Sequence, residues 1–170
     1  MTTPRRSTRA VVAGFVGALL LAGIWVAASA LRGSTGEGMP AGADVITVQR
    51  VVDGDTLVTA DGTRVRLIGI DAPEAHPEPE CGADAATARL RELAPEGARL
   101  RAVADREDLD RYDRELRYLW TADGTFVNEA LVAEGHAETI RVAPNTRYAE
   151  RFADAEAAAR AQGAGRWGTC

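Results

Sequence analysis

The feature that most limits what this chain can fold into is a long uncharged stretch near its N-terminus. Residues 10–31 contain no charged side chain, and Arg5, Arg6 and Arg9 precede them. About 20 apolar residues are enough for a helix to cross a bilayer, and a stretch without a polar face cannot form an amphipathic surface helix. The sequence therefore predicts a membrane-directed segment over residues 1–32, with room for one folded domain after it.

Two fates of this segment remain open on the sequence. Ala28-Ser29-Ala30 is similar to a signal-peptidase site, and cleavage after Ala30 would release a secreted domain. The uncharged stretch is also longer than the apolar core of a usual signal peptide, which favours an uncleaved membrane anchor. The arginines that precede it keep the N-terminus in the cytoplasm under the positive-inside rule. In both cases the later residues are expected to be extracytoplasmic.

The charge balance argues against a passive protein coat for nucleic acid. The chain has 25 acidic residues against 20 basic ones, its net charge is −5, and every basic residue is arginine. Proteins that bind nucleic acid mainly by counterion release are usually basic. Single-strand-binding surfaces also use stacked aromatic side chains, and aromatic residues make up only 5% of this chain. The composition fits an enzyme with a small cleft in which arginines are concentrated.

The pattern of apolar residues predicts a small barrel. Residues 33–43 are rich in glycine and predict a flexible linker, so the domain is expected over residues 44–170. Asp61-Gly62 is a two-residue hairpin signal, and it predicts that the first three strands form an antiparallel meander. The expected strands are residues 45–52, 56–59, 64–70, 99–104, 115–120 and 137–143, and the expected helices are residues 83–94, 127–134 and 148–162. Five of these strands, with three helices against them, predict an α+β fold with an OB-type barrel.

The cysteines are Cys81 and Cys170, and the chain has no others. In an exported chain, two cysteines far apart in sequence predict one disulfide, which here would hold the C-terminus. A metal site is the alternative, but neither cysteine has a histidine or a third cysteine near it in the sequence.

Three short segments carry the groups that metal-assisted cleavage of a phosphodiester requires. They are Asp53-Gly54-Asp55-Thr56, the segment from Arg66 to Glu74, and Asp110-Arg111-Tyr112-Asp113-Arg114. Carboxylates bind hard cations such as Ca²⁺, and guanidinium groups bind phosphate. A cation and two arginines would stabilise the negative charge that develops on the phosphoryl oxygens. Each segment alone is also explained as a polar turn or a solvated charge, so the argument depends on their occurring together.

Together with Val127-Asn128-Glu129-Ala130-Leu131-Val132, these segments occur in the order found in the thermonuclease family of staphylococcal nuclease-like domains. The chain resembles that family from about Val45 to Trp167. The resemblance implies an OB-fold barrel with three helices. It also implies a monomeric, Ca²⁺-dependent nuclease that acts on DNA and RNA with little sequence preference and leaves 3′-phosphates.

The resemblance also implies a metal site. Asp55 and Asp71 resemble the carboxylates that bind one Ca²⁺ ion, with the backbone carbonyl of Ala72 as a further ligand. Asp53 and Glu74 would reach the ion through water.

The same resemblance implies roles for the groups around the phosphate. Glu74 resembles the general base that activates water, and Arg66 and Arg114 resemble the pair of guanidinium groups on the phosphate, so these three are the expected catalytic residues. Arg111 and Tyr112 resemble residues that contact a neighbouring phosphate of the substrate.

The sequence departs from the family pattern at some substrate contacts. Asp113 stands where the staphylococcal pattern has glycine, and Arg141 and Ala143 stand where tyrosines that contact the nucleotide are expected. The loop over residues 74–82 is acidic and rich in proline rather than lysine-bearing. These differences leave the metal and phosphate groups in place, so they predict a raised KM rather than lost chemistry.

Two other functions remain open on the sequence. One is a catalytically inactive OB-fold module that binds nucleic acid or a protein partner, and the other is a membrane-tethered scaffold. Inactive modules lack part of the catalytic set, and this chain retains all of it: Asp55, Arg66, Asp71, Glu74 and Arg114. Asn128 and Glu129 are expected to brace the second helix rather than to contact substrate.

Overall fold

The computed structural model describes Pro40 and residues 42–170. The strands in this part of the chain are β1 (Asp44–Val51), β2 (Thr56–Thr59), β3 (Arg64–Leu67), β4 (Ile70–Asp71), β5 (Arg99–Val103), β6 (Glu115–Trp120) and β7 (Glu138–Thr139). The helices are α1 (Ala83–Leu93), α2 (Val127–Ala133), α3 (Ala149–Gln162) and α4 (Arg166–Thr169). Among the described residues, no helix combines the length and apolar character needed to cross a bilayer. The predicted membrane-directed segment over residues 1–32 lies outside them.

Five strands close a barrel in the order β1-β2-β3-β6-β5. β1, β2 and β3 pair antiparallel, which confirms the meander predicted around Asp61-Gly62. β3 and β6 close the barrel as a parallel pair, with Val65 opposite Glu115. Parallel strands need a long crossover connection, and α1 and β5 lie in the segment that provides it. This mixed barrel with three longer helices confirms the predicted OB-type fold.

The predicted third strand over residues 64–70 is wrong in its extent, because the chain turns at Gly69. The backbone of Gly69 has φ +78°, and a Cβ atom there would lie 2.8 Å from the ring of Phe152, so the position requires glycine. Ile70 and Asp71 then leave the barrel and pair with Thr139 and Glu138. The predicted strand over residues 137–143 is reduced to this two-residue partner, β7.

A cluster of aromatic side chains joins the barrel to α2 and α3. Trp120 stacks on Phe126 with ring centroids 4.3 Å apart, and Tyr118 meets Tyr148 edge to face at 4.7 Å. Phe152 of α3 completes the cluster, and all five side chains are buried. Burying one large apolar side chain contributes roughly 1.5–3 kcal/mol, so the cluster is a main source of stability on this side of the barrel.

Asn128 ties α2 to the barrel. Its side chain is fully buried, and its amide nitrogen donates to the carbonyl of Ile68 at 2.9 Å while its oxygen accepts from the Leu119 N–H at 3.0 Å. The next residue, Glu129, accepts from Arg151 of α3 at 2.6 Å. Buried polar groups are stable when they are bonded in this way. Both residues therefore brace α2, as predicted.

A disulfide joins Cys81, just before α1, to Cys170 at the end of α4, with Cα atoms 5.9 Å apart. This is the pair that the sequence predicts. Between the two cysteines lie most of the domain's elements, at a sequence separation of 89 residues. The bond therefore restricts the part of the chain from α1 to α4 in the unfolded state, whereas β1 to β4 lie outside the loop that it closes.

We expect the double substitution Cys81→Ser/Cys170→Ser to lower the free energy of unfolding by about 4 kcal/mol, because it releases a long loop in the unfolded chain. Urea unfolding followed by circular dichroism measures the change. The matched control is the unsubstituted protein with and without reductant. Reductant should lower its stability to that of the variant and leave the variant unaffected; equal stability of the oxidised protein and the variant would contradict the prediction.

Candidate active site

The loop between β1 and β2 is pressed against the segment that follows β4. A Cβ atom on Gly54 would lie 2.6 Å from the Ala72 Cβ and 2.7 Å from the Ala86 Cβ of α1, so only glycine permits this approach. Within the loop, the Asp53 carboxylate accepts a hydrogen bond from the Asp55 N–H at 3.1 Å. The close approach buries Asp55, which is only 7% exposed.

The Asp55 carboxylate is satisfied by three different donors. Its Oδ2 accepts from the Ala72 N–H at 3.0 Å and lies 3.0 Å from Nη2 of Arg66, while Oδ1 accepts from the Thr56 hydroxyl at 2.9 Å. Burial raises the pKa of Asp55 to about 6, against the opposing influence of Arg66 and the Ala72 N–H. A partly desolvated carboxylate of this kind gains stability from a nearby cation.

Arg66 occupies the corner where β3 gives way to β4. Its Nη1 donates to the carbonyls of Leu67 at 2.8 Å and Ile70 at 2.7 Å, which fixes the plane of the guanidinium. Its Nη2 contacts the Asp71 carboxylate at 2.7 Å as well as that of Asp55. One oxygen of Asp55 and one oxygen of Asp71 therefore contact the same nitrogen of Arg66. The two carboxylates are close to each other as a result.

The donor set around Arg66 fits a hard divalent cation. Asp55 and Asp71 present oxygens that already share a positive group, and Ca²⁺ is bound by carboxylates, backbone carbonyls and waters. Among the described residues, no group of three or more His, Cys, Asp or Glu side chains is arranged to hold an ion. A cation between these two carboxylates would therefore need further oxygens from the backbone and from water. In this structure Ala72 contacts Asp55 through the Ala72 N–H, whereas the predicted metal ligand is the Ala72 carbonyl.

A cleft of about 510 Å³ opens beside Arg66, and the other predicted phosphate-binding residues, Arg111, Tyr112 and Arg114, line it as well. Tyr112 is 60% exposed at the cleft, and its ring centroid lies 4.7 Å from the Arg111 guanidinium carbon and 5.5 Å from that of Arg114. These distances are within the range of cation–π attraction. The structure thus brings all three predicted arginines and Tyr112 to one cavity.

Asp110 orients Arg114 within this cleft, a role that the sequence analysis missed. Its carboxylate accepts from Nε of Arg114 at 2.7 Å, and it also accepts from the backbone N–H groups of Arg114 at 3.0 Å and Tyr112 at 2.8 Å. Burial alone would raise the pKa of Asp110, but these donors outweigh burial and hold the pKa below its usual value. The spacing of an acid four residues before an arginine is the sequence signal that could have found it.

Glu74 lies three residues after Asp71 and is exposed. Like Asp55 and Asp71, it is not among the residues that line the cleft. Its backbone N–H donates to the Glu80 carboxylate at 3.2 Å, and the Glu80 N–H donates back to the Glu74 carbonyl at 2.9 Å. In the part of the chain that the structure describes, no bond joins the Glu74 side chain to Arg66 or Asp71. Catalytic contacts often form only when substrate binds, so this position does not remove Glu74 as a candidate base.

The departures from the family pattern change one wall of the cleft. Arg141 pairs with Glu150 at the surface, whereas Ile140, Val142 and Ala143 line the cavity. This wall is therefore aliphatic, and it offers packing surface without the hydroxyl groups of tyrosines.

The chain is similar in sequence to proteins of known family. The family model described as Staphylococcal nuclease homologue matches residues 64–169. A thermonuclease of Staphylococcus hyicus is 37% identical over 116 residues, which cover 64% of this chain and 67% of that protein. A thermonuclease of Staphylococcus intermedius is 40% identical over 108 residues, covering 59% and 62%.

A longer relative matches over a similar part of this chain. The SPbeta prophage-derived endonuclease YokF of Bacillus subtilis is 37% identical over 131 residues, covering 72% of this chain and 43% of that protein. The chain therefore spans about two thirds of the length of the two thermonucleases and less than half of the length of YokF.

Asp113 occupies a backbone conformation that favours glycine, with φ +59°. We expect Asp113→Gly to raise the free energy of unfolding by up to about 1 kcal/mol, because it relieves the left-handed strain of a residue with a Cβ atom. Chemical unfolding measures the change. Asp113→Ala is the matched control, since it also removes the carboxylate but keeps the Cβ atom. A gain of the same size in Asp113→Ala would show that charge, and not backbone strain, is responsible.

Proposed function

Since this chain belongs to the staphylococcal nuclease family, we propose that it is a nuclease that hydrolyses phosphodiester bonds of DNA and RNA with little sequence specificity. The observation that carries this proposal is the convergence of Asp55 and Asp71 on Arg66, beside a cleft that Arg114 also lines. These are the groups that a metal-assisted phosphodiesterase needs at one place. The relatives named as thermonucleases and as an endonuclease support the same reaction class.

The metal that this donor set suits is one Ca²⁺ ion. Asp55 and Asp71 would bind it directly with the carbonyl of Ala72, and Asp53 and Glu74 would reach it through water. When bound, the ion would stabilise negative charge on the phosphate and make a coordinated water more acidic. The raised pKa of Asp55, which burial causes, supports the assignment because a desolvated carboxylate favours a cationic partner.

The two arginines would bind the non-bridging oxygens of the scissile phosphate. Hydrogen bonds from guanidinium to phosphate are charge-assisted, and the fork of donors can make two of them at once. Arg66 is held in place by the carbonyls of Leu67 and Ile70, and Arg114 by Asp110. Nη2 of Arg66 contacts the carboxylates of Asp55 and Asp71, so it would turn from them to the phosphate once a cation balances their charge, while the two carbonyls keep hold of Nη1. Donors held in this way would stabilise the charge of the transition state with little further reorganisation.

Glu74 would act as the general base. It would take a proton from the attacking water as the water oxygen bonds to phosphorus. The bond from phosphorus to the 5′ oxygen would break, and the leaving 5′ oxygen would take up a proton from solvent. The products would carry 3′-phosphate and 5′-hydroxyl ends. This role requires Glu74 to come within hydrogen-bonding distance of that water when substrate binds.

The proposed location of the domain is extracytoplasmic. The disulfide between Cys81 and Cys170 supports this location, because structural disulfides persist in oxidising compartments. The domain would be held at the membrane by residues 10–31, or it would be secreted if the chain is cleaved after Ala30. We propose that it acts as a monomer.

A catalytically inactive OB-fold module that binds nucleic acid or a protein is the alternative. The observation in its favour is that the expected base, Glu74, is exposed, and that within the described residues no hydrogen bond ties its side chain to Arg66 or Asp71. The two functions differ in whether phosphodiester bonds are cut when Ca²⁺ is present, so one experiment separates them.

We expect the purified protein to digest single- and double-stranded DNA and RNA with Ca²⁺, and to stop when the ion is chelated. Arg66→Ala or Arg114→Ala should lower kcat at least about 100-fold, since losing one donor to the transition state costs about 3 kcal/mol. End analysis of the products should show 3′-phosphates. Arg91→Ala, at an exposed position of α1, is the control and should keep full activity. Near-native turnover in a folded Arg66→Ala protein would reject the assigned role, and no cleavage by the native protein would favour the inactive module.

A second prediction concerns the residue that orients Arg114. Asp110→Asn removes the charge that fixes Nε of Arg114, and we expect kcat to fall about tenfold, because a hydrogen bond to a charged group contributes about 1.5 kcal/mol or more. Asp108→Asn is the matched control, since Asp108 binds Arg117 at 2.5 Å and does not line the cleft. Steady-state kinetics with circular dichroism of both variants provides the test. An equal loss in the two variants would contradict a specific role for Asp110.

A further inference from the structure

We propose that the outer face of the barrel continues the phosphate site, and that Arg50 and Arg64 bind phosphates of the same nucleic acid strand beyond the scissile one. This inference rests on the proposed nuclease function and extends it to the part of the polymer outside the cleft. Neither arginine belongs to the three catalytic segments of the sequence.

The first step is the position of Arg64 beside Arg66. Both lie on β3, with Arg64 exposed and the residue between them, Val65, fully buried. Alternate residues of a strand face the same side and are about 6.6 Å apart along it. Arg64 therefore faces the same side as Arg66, one step farther along the strand.

The second step is the row that crosses the sheet at Arg64. Val58 of β2 pairs with Arg64 of β3 on one side and with Arg50 of β1 on the other. Paired residues face the same side of a sheet, and neighbouring strands are about 4.8 Å apart. The backbones of Arg50 and Arg64 are thus roughly 10 Å apart in one row. Val58 lies between them and is only 5% exposed. Its low exposure is explained if the aliphatic parts of the two arginine side chains lie across it.

The third step joins this row to the cleft. β3 and β6 run parallel, with Val65 opposite Glu115. Arg64 is the residue before Val65, and Arg114 is the residue before Glu115. If the register is extended by this one residue, Arg64 is next to Arg114. Arg114 lines the cleft. The arginine row, which we define as Arg50, Arg64 and Arg114, therefore runs from the candidate active site onto the outer surface.

The two outer members of the row keep an unpaired positive charge. Within the described residues, Arg50 and Arg64 are exposed and form no ion pair. The acidic side chains nearest in sequence or register are engaged elsewhere: Asp61 accepts from the N–H of Thr63 at 3.2 Å and from the hydroxyl of Thr59, and Glu115 binds Arg117 at 2.9 Å. Asp110, next to the row, is bound to Arg114.

Three arginines of the helices differ in this respect. Arg89, Arg151 and Arg160 bind Glu134, Glu129 and Glu156 respectively. In a chain with a net charge of −5, Arg50 and Arg64, two exposed arginines with no ion pair among the described residues, lead away from a phosphate-binding cleft and are suited to a polyanion. Because the cleft would hold one phosphate of a nucleic acid strand, the polyanion next to it is the rest of that strand.

The test measures binding separately from cleavage. Fluorescence anisotropy with the full-length protein in detergent and in the presence of chelator would follow single-stranded DNA oligonucleotides of about 4 and about 20 nucleotides, lengths near the two ends of known single-strand site sizes. The variant is Arg50→Gln/Arg64→Gln. It removes both positive charges and keeps polar side chains whose aliphatic parts can still cover Val58. The matched control is Arg99→Gln/Arg101→Gln. These two exposed arginines lie on β5, opposite Thr47 and Val45.

We expect the row variant to bind the long oligonucleotide about tenfold more weakly, with a plot of log K against log salt that is less steep by about 1.4, as for two lost phosphate contacts on a single strand. Its binding of the short oligonucleotide, and the binding of both by the control, should stay near the native values. In digestion with Ca²⁺, KM for long DNA should rise while kcat stays unchanged, because the row does not contact the reacting phosphate.

Three results would overturn the inference. Native affinity and salt dependence in the row variant would show that these arginines do not contact the strand, and would leave them to another partner such as an acidic protein surface. Equal losses in the row variant and the control would show a general charge effect. Equal losses for short and long oligonucleotides would place the effect in the cleft. If the native protein binds DNA without cutting it, the proposed nuclease function fails and the row is still judged by the same binding measurements.

Discussion

The site depends on one interaction, the bridge that Arg66 makes between the carboxylates of Asp55 and Asp71. Two acids held so close would repel each other and would be costly to desolvate. The guanidinium offsets this cost, and the carbonyls of Leu67 and Ile70 hold it in place. In the proposed reaction, the same guanidinium would bind a phosphate once a cation balances the two carboxylates. The stability of the site and the proposed chemistry would therefore use the same group.

Two close contacts of the backbone make this bridge possible. Gly69 lets the chain turn out of the barrel against Phe152, so that Asp71 leaves the line of β3 and returns toward Arg66. Gly54 lets the preceding loop approach Ala72 closely enough for Asp55 to accept its N–H. The barrel is the rigid support of the site. The two glycines allow the chain to turn or to approach another segment closely at its edge. A β-carbon at either place would displace a carboxylate before it affected the barrel as a whole.

Every Lys/Arg-type basic residue of this chain is arginine, and the described arginines are used in different ways. Arg89 and Arg151 pair with glutamates and join helices to one another. Arg66, Arg111 and Arg114 line the cleft, where Asp110 orients Arg114. An acidic chain can therefore concentrate positive charge at one place. Its net charge describes the whole surface and does not describe the cleft.

The sequence by itself determined the barrel, its antiparallel hairpin at Asp61-Gly62 and the helices, because alternation, turn residues and helix periodicity are local properties of the chain. It also supplied the candidate groups of the proposed site, because a metal-assisted phosphodiesterase needs particular side chains whatever their placement. It could not decide that β3 ends before Gly69, that Asp110 holds Arg114, or that Arg66 contacts both Asp55 and Asp71. Nor could it align Arg64 with Arg50 and Arg114, since that row exists only through strand pairing. These features depend on distances between residues far apart in the chain, and only the tertiary structure fixes such distances.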